Sequence, residues 1–159
     1  MTPHPFRMTA RVPDGMVSLD VGGEWAAWSG VARGAHCERE SVVLVSIAVT
    51  AFHPAPGVAA ADALKAALRS RHPAADGVVD EFAAADGRPA LRVRGEVRRR
   101  MRGRTVTTGQ AQALVVFPGV GALGVVSAVC ADTADLDRAA ELVAGIAAQM
   151  TVTAAPAAA

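Results

Sequence analysis

The sequence predicts an α+β domain, an antiparallel β-sheet with helices packed on it. The chain has 159 residues, the usual size of one domain. Four strand-like segments follow one another between residues 77 and 130, and the short loops between them force neighbouring strands to run antiparallel. A helical stripe of apolar residues follows them. We therefore expect about six or seven strands and two or three helices over residues 1–153, in an α/β/α sandwich. The Ala/Pro tail over residues 154–159 is expected to be disordered.

The N-terminal part is predicted to alternate short elements and turns. Residues 6–12 and 16–21 read as two short strands around a Pro-Asp-Gly turn at residues 13–15. Residues 24–32 have the length of two helical turns, with two tryptophans on one side at a spacing of three. Residues 34–40 are polar and are predicted to form a loop.

A long strand and a helix follow. Residues 41–53 are rich in β-branched residues and apolar on both alternations, which predicts a central strand covered on both faces. Residues 58–70 are predicted to form a helix that ends before Pro73, because the residue before a proline avoids helical dihedrals. The face of this helix directed at the core comprises Val58, Ala61, Leu64 and Leu68.

The four strands of the meander and the last helix are the clearest elements. The strands are predicted over residues 77–84, 89–100, 105–117 and 122–130. The core stripe of the last helix comprises Leu136, Ala139, Val143, Ile146 and Met150. Asp132, Thr133 and Asp135 are candidates to cap its N-terminus, where negative charge is favourable.

Net charge and sequence motifs indicate the cellular compartment, the classes of partner and the state of the cysteines. The net charge of +1 gives no overall attraction to nucleic acid or membrane. Neither a secretory signal nor a stretch of uncharged apolar residues of transmembrane length is recognisable, so we expect a cytoplasmic protein with no membrane partner. Cys37 and Cys130 are therefore expected to be unpaired thiols.

No motif predicts a cofactor, a metal site or a catalytic residue. Gly119, Gly121 and Gly124 match the G-x-G-x-x-G spacing of dinucleotide sites, but strand-like residues follow them instead of a helix. We interpret them as a glycine-rich hairpin turn. The four histidines have no metal-ligand spacing among themselves or with the cysteines.

Three segments resemble the PsbP/Mog-like superfamily, in particular its small bacterial branch: VPDGMVSLDV near the start, DGRPALRVRGE in the meander, and ADLDRAAELVAGIAAQMTV at the end. The order of elements over residues 6–152 agrees with the resemblance. It implies an antiparallel sheet sandwiched by helices and a mostly non-enzymatic role. Members include a Ran-GTPase-binding protein, a photosystem II extrinsic subunit and chaperones of type VI secretion effectors. The resemblance carries over no functional residue.

Charge is unevenly distributed along the sequence. Residues 88–104 contain eight arginines and one acid, Glu96, a net charge of +7; the rest of the chain therefore carries −6. Arginines alternate with apolar residues along the predicted strand, so that one face enters the core and the other presents guanidinium groups. The next strand has a polar row of its own, which includes Gln110 and Gln112.

Burial of the alanines of this next strand favours a register that puts both rows on one open sheet face. That register requires a loop with an odd number of residues, such as three residues around Gly103 with the glycine in the left-handed conformation. The candidate partner-binding residues are Arg92, Arg94, Arg98, Arg100, Gln110 and Gln112, together with Trp25 and Trp28 as a hydrophobic anchor. The tryptophans are also explained by packing in the core.

Several readings of the arginine face stay open. A solvated face that resists aggregation is the plainest of them. Binding of an acidic protein surface is the functional one, and a phosphorylated or carboxylate ligand is another. Nucleic acid is not favoured as a partner, because no aromatic residue lies between the arginines to stack on bases.

The sequence supports three hypotheses of function. The first is a non-catalytic binding, adaptor or chaperone-like module, with a link to secretion and an acidic protein as partner. The second is a small-molecule binding protein or biosynthetic enzyme, in which His53 and arginines converge in a pocket between sheet and helices. The third is a homodimer formed through the sheet face.

Overall fold

Nine strands and two helices make up the regular structure of the computed structural model, which describes residues 6–11, 16–19, 31–36, 41–71 and 77–156. In chain order they are β1 (Phe6–Thr9), β2 (Met16–Leu19), β3 (Val31–His36), β4 (Ser41–Ala51), α1 (Ala60–Arg71), β5 (Val78–Glu81), β6 (Ala90–Met101), β7 (Arg104–Phe117), β8 (Ala122–Cys130), α2 (Leu136–Ala148) and β9 (Thr151–Ala154). Short 3-10 turns occupy Ala85–Gly87 and Thr133–Asp135.

Seven strands form one antiparallel sheet in the order β2-β3-β4-β8-β7-β6-β5. Every neighbouring pair in it runs antiparallel. The short loops of the meander predicted this arrangement for β5 to β8. The glycine-rich segment is the predicted hairpin turn: Gly121 has a φ of 62° and β8 starts at the next residue. The α+β class with an antiparallel sheet is confirmed.

Helix α2 covers one face of the sheet. Four residues of its predicted stripe are buried: Ala139, Val143, Ile146 and, just after the helix, Met150. Leu136, the first residue of the stripe, is half-buried. The helix packs on β6, β7 and β8. The sheet contributes small and β-branched side chains to this larger core, including Val43, Val45, Ala111, Ala113, Val115 and Val126. Asp132 caps the turn before the helix, since its side chain accepts a hydrogen bond of 2.9 Å from the N–H of Ala134.

Helix α1 covers part of the other face. Leu64 and Leu68 are buried in a second, smaller cluster on β6, β7 and β8. The sheet residues of that cluster are Leu91, Val93, Leu114, Val116 and Leu123. The helix starts at Ala60, later than predicted, so Val58 precedes it and is exposed. Neither helix of the described residues is long and apolar enough to cross a membrane.

The N-terminal part differs from the sequence-based expectations at several points. Strands β1 and β2 do not pair with each other: β1 pairs with β9, and β2 pairs with β3. Strand β3 contains residues that were expected at the end of a helix and in a polar loop. The interior position of β4 is confirmed, but Leu44 on its second face is exposed, so that face is not fully covered.

The C-terminal strand extends the ordered chain into the segment expected to be a tail. Ala154 pairs with Phe6 and Thr153 pairs with Arg7, while Val152 is buried in the larger core. Strand β9 thus ends at Ala154, the first residue of the segment expected to be a tail. Trp25, Trp28 and Cys37 lie outside the described residues.

Candidate functional site: the arginine hairpin

The register of β6 and β7 overturns the predicted single polar face. Arg92 pairs with Ala113, whereas Gln112 pairs with Val93. Directly paired residues of an antiparallel ladder point to the same face. The arginines at positions 92, 94, 98 and 100 therefore lie on the α2 side of the sheet, and Gln110 and Gln112 lie on the α1 side. These two sets of predicted site residues are not brought together.

The turn between the two strands explains the difference. Met101 pairs with Arg104, so only Arg102 and Gly103 form the loop. Both have positive φ, 49° for Arg102 and 78° for Gly103, as a two-residue type I′ turn requires. The prediction of a left-handed glycine is confirmed, but the loop is one residue shorter than expected. Because side chains alternate between the two faces of a sheet, a loop that is one residue shorter moves every side chain of the partner strand to the opposite face.

Arg92 is committed to an ion pair within the chain. It donates from Nε to Asp80 Oδ1 over 3.1 Å, and its Nη2 donates to Asp80 Oδ2. This hydrogen bonding lowers the pKa of Asp80 and raises the pKa of Arg92. The Arg92 side chain is only 18% exposed. The ion pair thus stabilises the contact of the edge strand β5 with β6, and the Arg92 guanidinium is not available to a partner.

Arg94 is occupied in a similar way. Its Nε lies 3.4 Å from Oδ1 of Asp137, in the first turn of α2. The side chain of Arg94 is 32% exposed, and that of Asp137 is largely exposed. The pair links β6 to α2. Both inner arginines of the predicted site therefore stabilise contacts between elements of the fold.

The outer part of the hairpin is different. Pairing of β5 with β6 ends at Arg94, and pairing of β8 with β7 ends at Gly109. Over residues 97–108, which we call the arginine hairpin, β6 and β7 pair only with each other among the described residues. This segment projects from the sheet, and its sequence contains five arginines and no acidic residue.

All five arginines of the arginine hairpin are exposed: Arg98, Arg99, Arg100, Arg102 and Arg104. Within the described chain, no ion pair or side-chain hydrogen bond joins them to another residue. Their charges are therefore uncompensated by close contacts, unlike those of Arg92 and Arg94. Five like charges on one projecting hairpin add to a strong local positive potential.

The charges lie on both faces of the arginine hairpin. Arg98 and Arg100 pair with Thr107 and Thr105 on the α2 side, while Arg99 pairs with Val106 on the other. Met101 at the turn is 58% exposed, and Val106 is exposed too. The arginine hairpin thus presents two exposed apolar side chains in addition to its guanidinium groups.

Three arginines of this surface, Arg99, Arg102 and Arg104, were missed as site residues. They belong to the arginine-rich segment of the sequence, but only alternating strand positions on one face were expected to bind. Recognising that the hairpin extends beyond its neighbouring strands would have included both faces and the turn. The predicted Gln110 and Gln112 are half-buried beside Val129 and Ser127 of β8.

A groove of about 430 Å³ lies between α1 and the connection of β5 to β6. Its lining includes Leu64, Phe82, Glu81 and Arg88. Arg88 is already engaged: it donates to the carbonyl oxygens of Ala85 and Met150 over 2.9 and 3.3 Å, and lies 4.5 Å from the centre of the Phe117 ring. His53 is not part of the lining, so the expected convergence of His53 and arginines does not form there.

Cys130 is a free, buried thiol, as predicted. Burial raises its pKa, and the carboxylate of Asp135 adds to the effect. Among the described residues, no group of three His, Cys, Asp or Glu side chains is placed to hold a metal ion.

No protein-family model matches this chain, and no curated protein matches it. Among solved structures, its fold is similar to that of LpqN, a protein involved in cell envelope biogenesis of Mycobacterium tuberculosis. The match has a TM-score of 0.59 and covers 96% of this chain and 86% of LpqN. The sequences are 18% identical, so the similarity is one of fold.

Proposed function

We propose that this protein is a non-catalytic binding module, adaptor or chaperone-like, that uses the arginine hairpin to hold an acidic surface of a protein partner. The observation that carries the proposal is the set of five exposed arginines without ion pairs in the described chain, on a hairpin that projects from the sheet. Arg92 and Arg94, whose charges are neutralised within the fold, are not part of this surface.

Guanidinium chemistry supports a carboxylate-bearing partner. Each guanidinium is planar, weakly hydrated and able to donate two parallel hydrogen bonds to one carboxylate. Clustered charges also steer an acidic partner during diffusion and raise the association rate. The exposed Met101 and Val106 add apolar contact area on the face of the arginine hairpin that carries Arg99.

The setting of this activity is part of the proposal. The resemblance to the PsbP/Mog-like superfamily favours a non-enzymatic role that includes chaperones of secreted effectors. The fold similarity to a cell envelope protein is compatible with a role near secretion. We infer a cytoplasmic module that binds an acidic component destined for the envelope or for export.

Binding of a fluorescein-labelled poly-glutamate of about 20 residues tests the proposal by anisotropy. The double variant Arg98→Glu, Arg100→Glu should weaken binding by more than about tenfold, and added salt should slow association. The matched control is Arg7→Glu, Arg69→Glu, which changes the net charge equally at exposed arginines outside the hairpin. This control should change binding by less than about twofold, since distant exposed charges are screened by salt.

Two results would contradict the proposal. Equal weakening by both double variants would show that only the net charge matters. Tighter binding of a single-stranded oligonucleotide than of poly-glutamate of the same charge would favour a nucleic-acid partner instead. Melting temperatures of all variants verify that each remains folded.

A further inference from the structure

No strand of the described residues pairs with the outer edge of β6 along the arginine hairpin. Phe82 donates its N–H to the carbonyl of Ala90 on β6 over 3.4 Å, and Val116 on β7 donates to the carbonyl of Pro89 over 3.0 Å. Backbone groups of successive strand residues point to opposite sides within the sheet. The backbone N–H and C=O groups of even-numbered residues of β6 therefore point towards β5 within the sheet. Those of odd-numbered residues point towards β7.

This alternation identifies the open groups. β5 pairs with β6 only as far as Arg94. The backbone N–H and C=O groups of Glu96, Arg98 and Arg100 point to the same side, where no strand of the described chain pairs with them. Three residues thus present six backbone donors and acceptors in the register of a sheet edge.

We propose that this edge binds an extended, acidic segment of the partner by adding it to the sheet as a further strand. The inference rests on the proposed function and specifies its binding mode. Main-chain hydrogen bonds supply affinity in strand addition, and side chains of the added strand supply specificity. An added strand would place its side chains beside Arg98 and Arg100 on one face and Arg99 on the other, so acidic residues on both faces would be neutralised.

Charge selects this occupant over a second copy of the chain. Two copies paired through the same edge would bring the arginines of one hairpin close to those of the other, which is unfavourable between neighbouring strands. The opposite edge of the hairpin, where Thr105 and Thr107 point outwards, lacks arginines at those positions. The β6 edge therefore has backbone groups that no described strand pairs with, and a positive charge that disfavours pairing with the same edge of a second copy.

A matched pair of variants separates the backbone from the charge. Arg98→Ala and Arg98→Pro both remove the guanidinium group, but only proline removes the outward N–H, and proline is tolerated at strand edges that face solvent. The probe is a labelled peptide of about ten residues with alternating Glu and Val. Arg98→Pro should bind it about fivefold more weakly than Arg98→Ala, the effect of one hydrogen bond. Thr105→Pro, on the opposite edge, should leave binding unchanged.

Hydrogen exchange of the unmodified protein provides a second readout that no variant can confound. The bound peptide should protect the amides of Arg98 and Arg100 from exchange. A peptide N-methylated at alternate residues cannot pair through its methylated edge, so when it binds by that edge it should not protect these amides. Equal binding by Arg98→Pro and Arg98→Ala, with no protection, would overturn strand addition while the proposed function stood. If the double variant Arg98→Glu, Arg100→Glu did not weaken binding, both strand addition and the proposed function would be overturned.

Discussion

Truncation of Ile146 measures how much α2 contributes to the fold. Ile146 is 1% exposed in the core between α2 and the sheet. Ile146→Ala removes three carbon atoms, which corresponds to about 2.4 kcal/mol of transfer free energy at about 0.8 kcal/mol each. The cavity left under a helix packed on a rigid sheet raises the expected loss of unfolding free energy to about 3–4 kcal/mol, inside the usual range of about 2–5 kcal/mol.

Equilibrium unfolding in urea, followed by circular dichroism, gives this loss from the shift of the midpoint at constant slope. Leu142→Ala is the matched control, because it removes the same number of carbons from a half-buried position of the same helix. It should cost less than half as much. A loss below about 1 kcal/mol for Ile146→Ala, or one no larger than that of the control, would refute the reasoning that α2 closes the main core.

Three further predictions concern contacts around the sheet. The guanidinium partner of Asp80 holds the pKa of that carboxyl below its ordinary value of 3.8, so the pair stabilises the fold above that pH and is lost below it. Asp80→Asn should therefore reduce the difference between the urea midpoints at about pH 7 and about pH 2.5, and an unchanged difference would contradict this. Gly109→Ala places a Cβ 2.5 Å from Cys130 Sγ, which should cost about 1–3 kcal/mol. Cys130→Ala should recover most of that cost, whereas additive losses would exclude the contact. Arg94→Glu should lower the melting temperature, because it opposes Asp137, and adding Asp137→Arg should restore it; an unaltered melting temperature would show that the pair contributes nothing.

Local signals were sufficient to predict the meander and α2. Alternation marks β6 and β7, and a stripe at steps of three and four marks the core face of α2. Short loops then fix the antiparallel order of these strands. Pairing of β1 with β9 was beyond such signals, because the two segments lie at opposite ends of the sequence and neither is long.

The register of β6 and β7 depends on finer chemistry than hydrophobic pattern. Ala111 and Ala113 share a face with Arg94 and Arg92, a pairing that a simple burial argument excludes. Long arginine stems cover apolar surface while their charged ends reach Asp80 and Asp137, so these arginines and the alanines are compatible on one face. The turn added to the difficulty, since Arg102 adopts a positive φ that favours glycine or asparagine.

The central claim is that an acidic partner binds the arginine hairpin, and amide chemical-shift mapping tests it most directly. Labelled protein is titrated with poly-glutamate, and the perturbed backbone amides are located in the structure. Perturbations should be largest between Val97 and Thr108 and small at Gln110, at Gln112 and along the groove beside α1. Perturbations centred on the glutamines or on that groove, with the amides of the arginine hairpin unmoved, would contradict the claim.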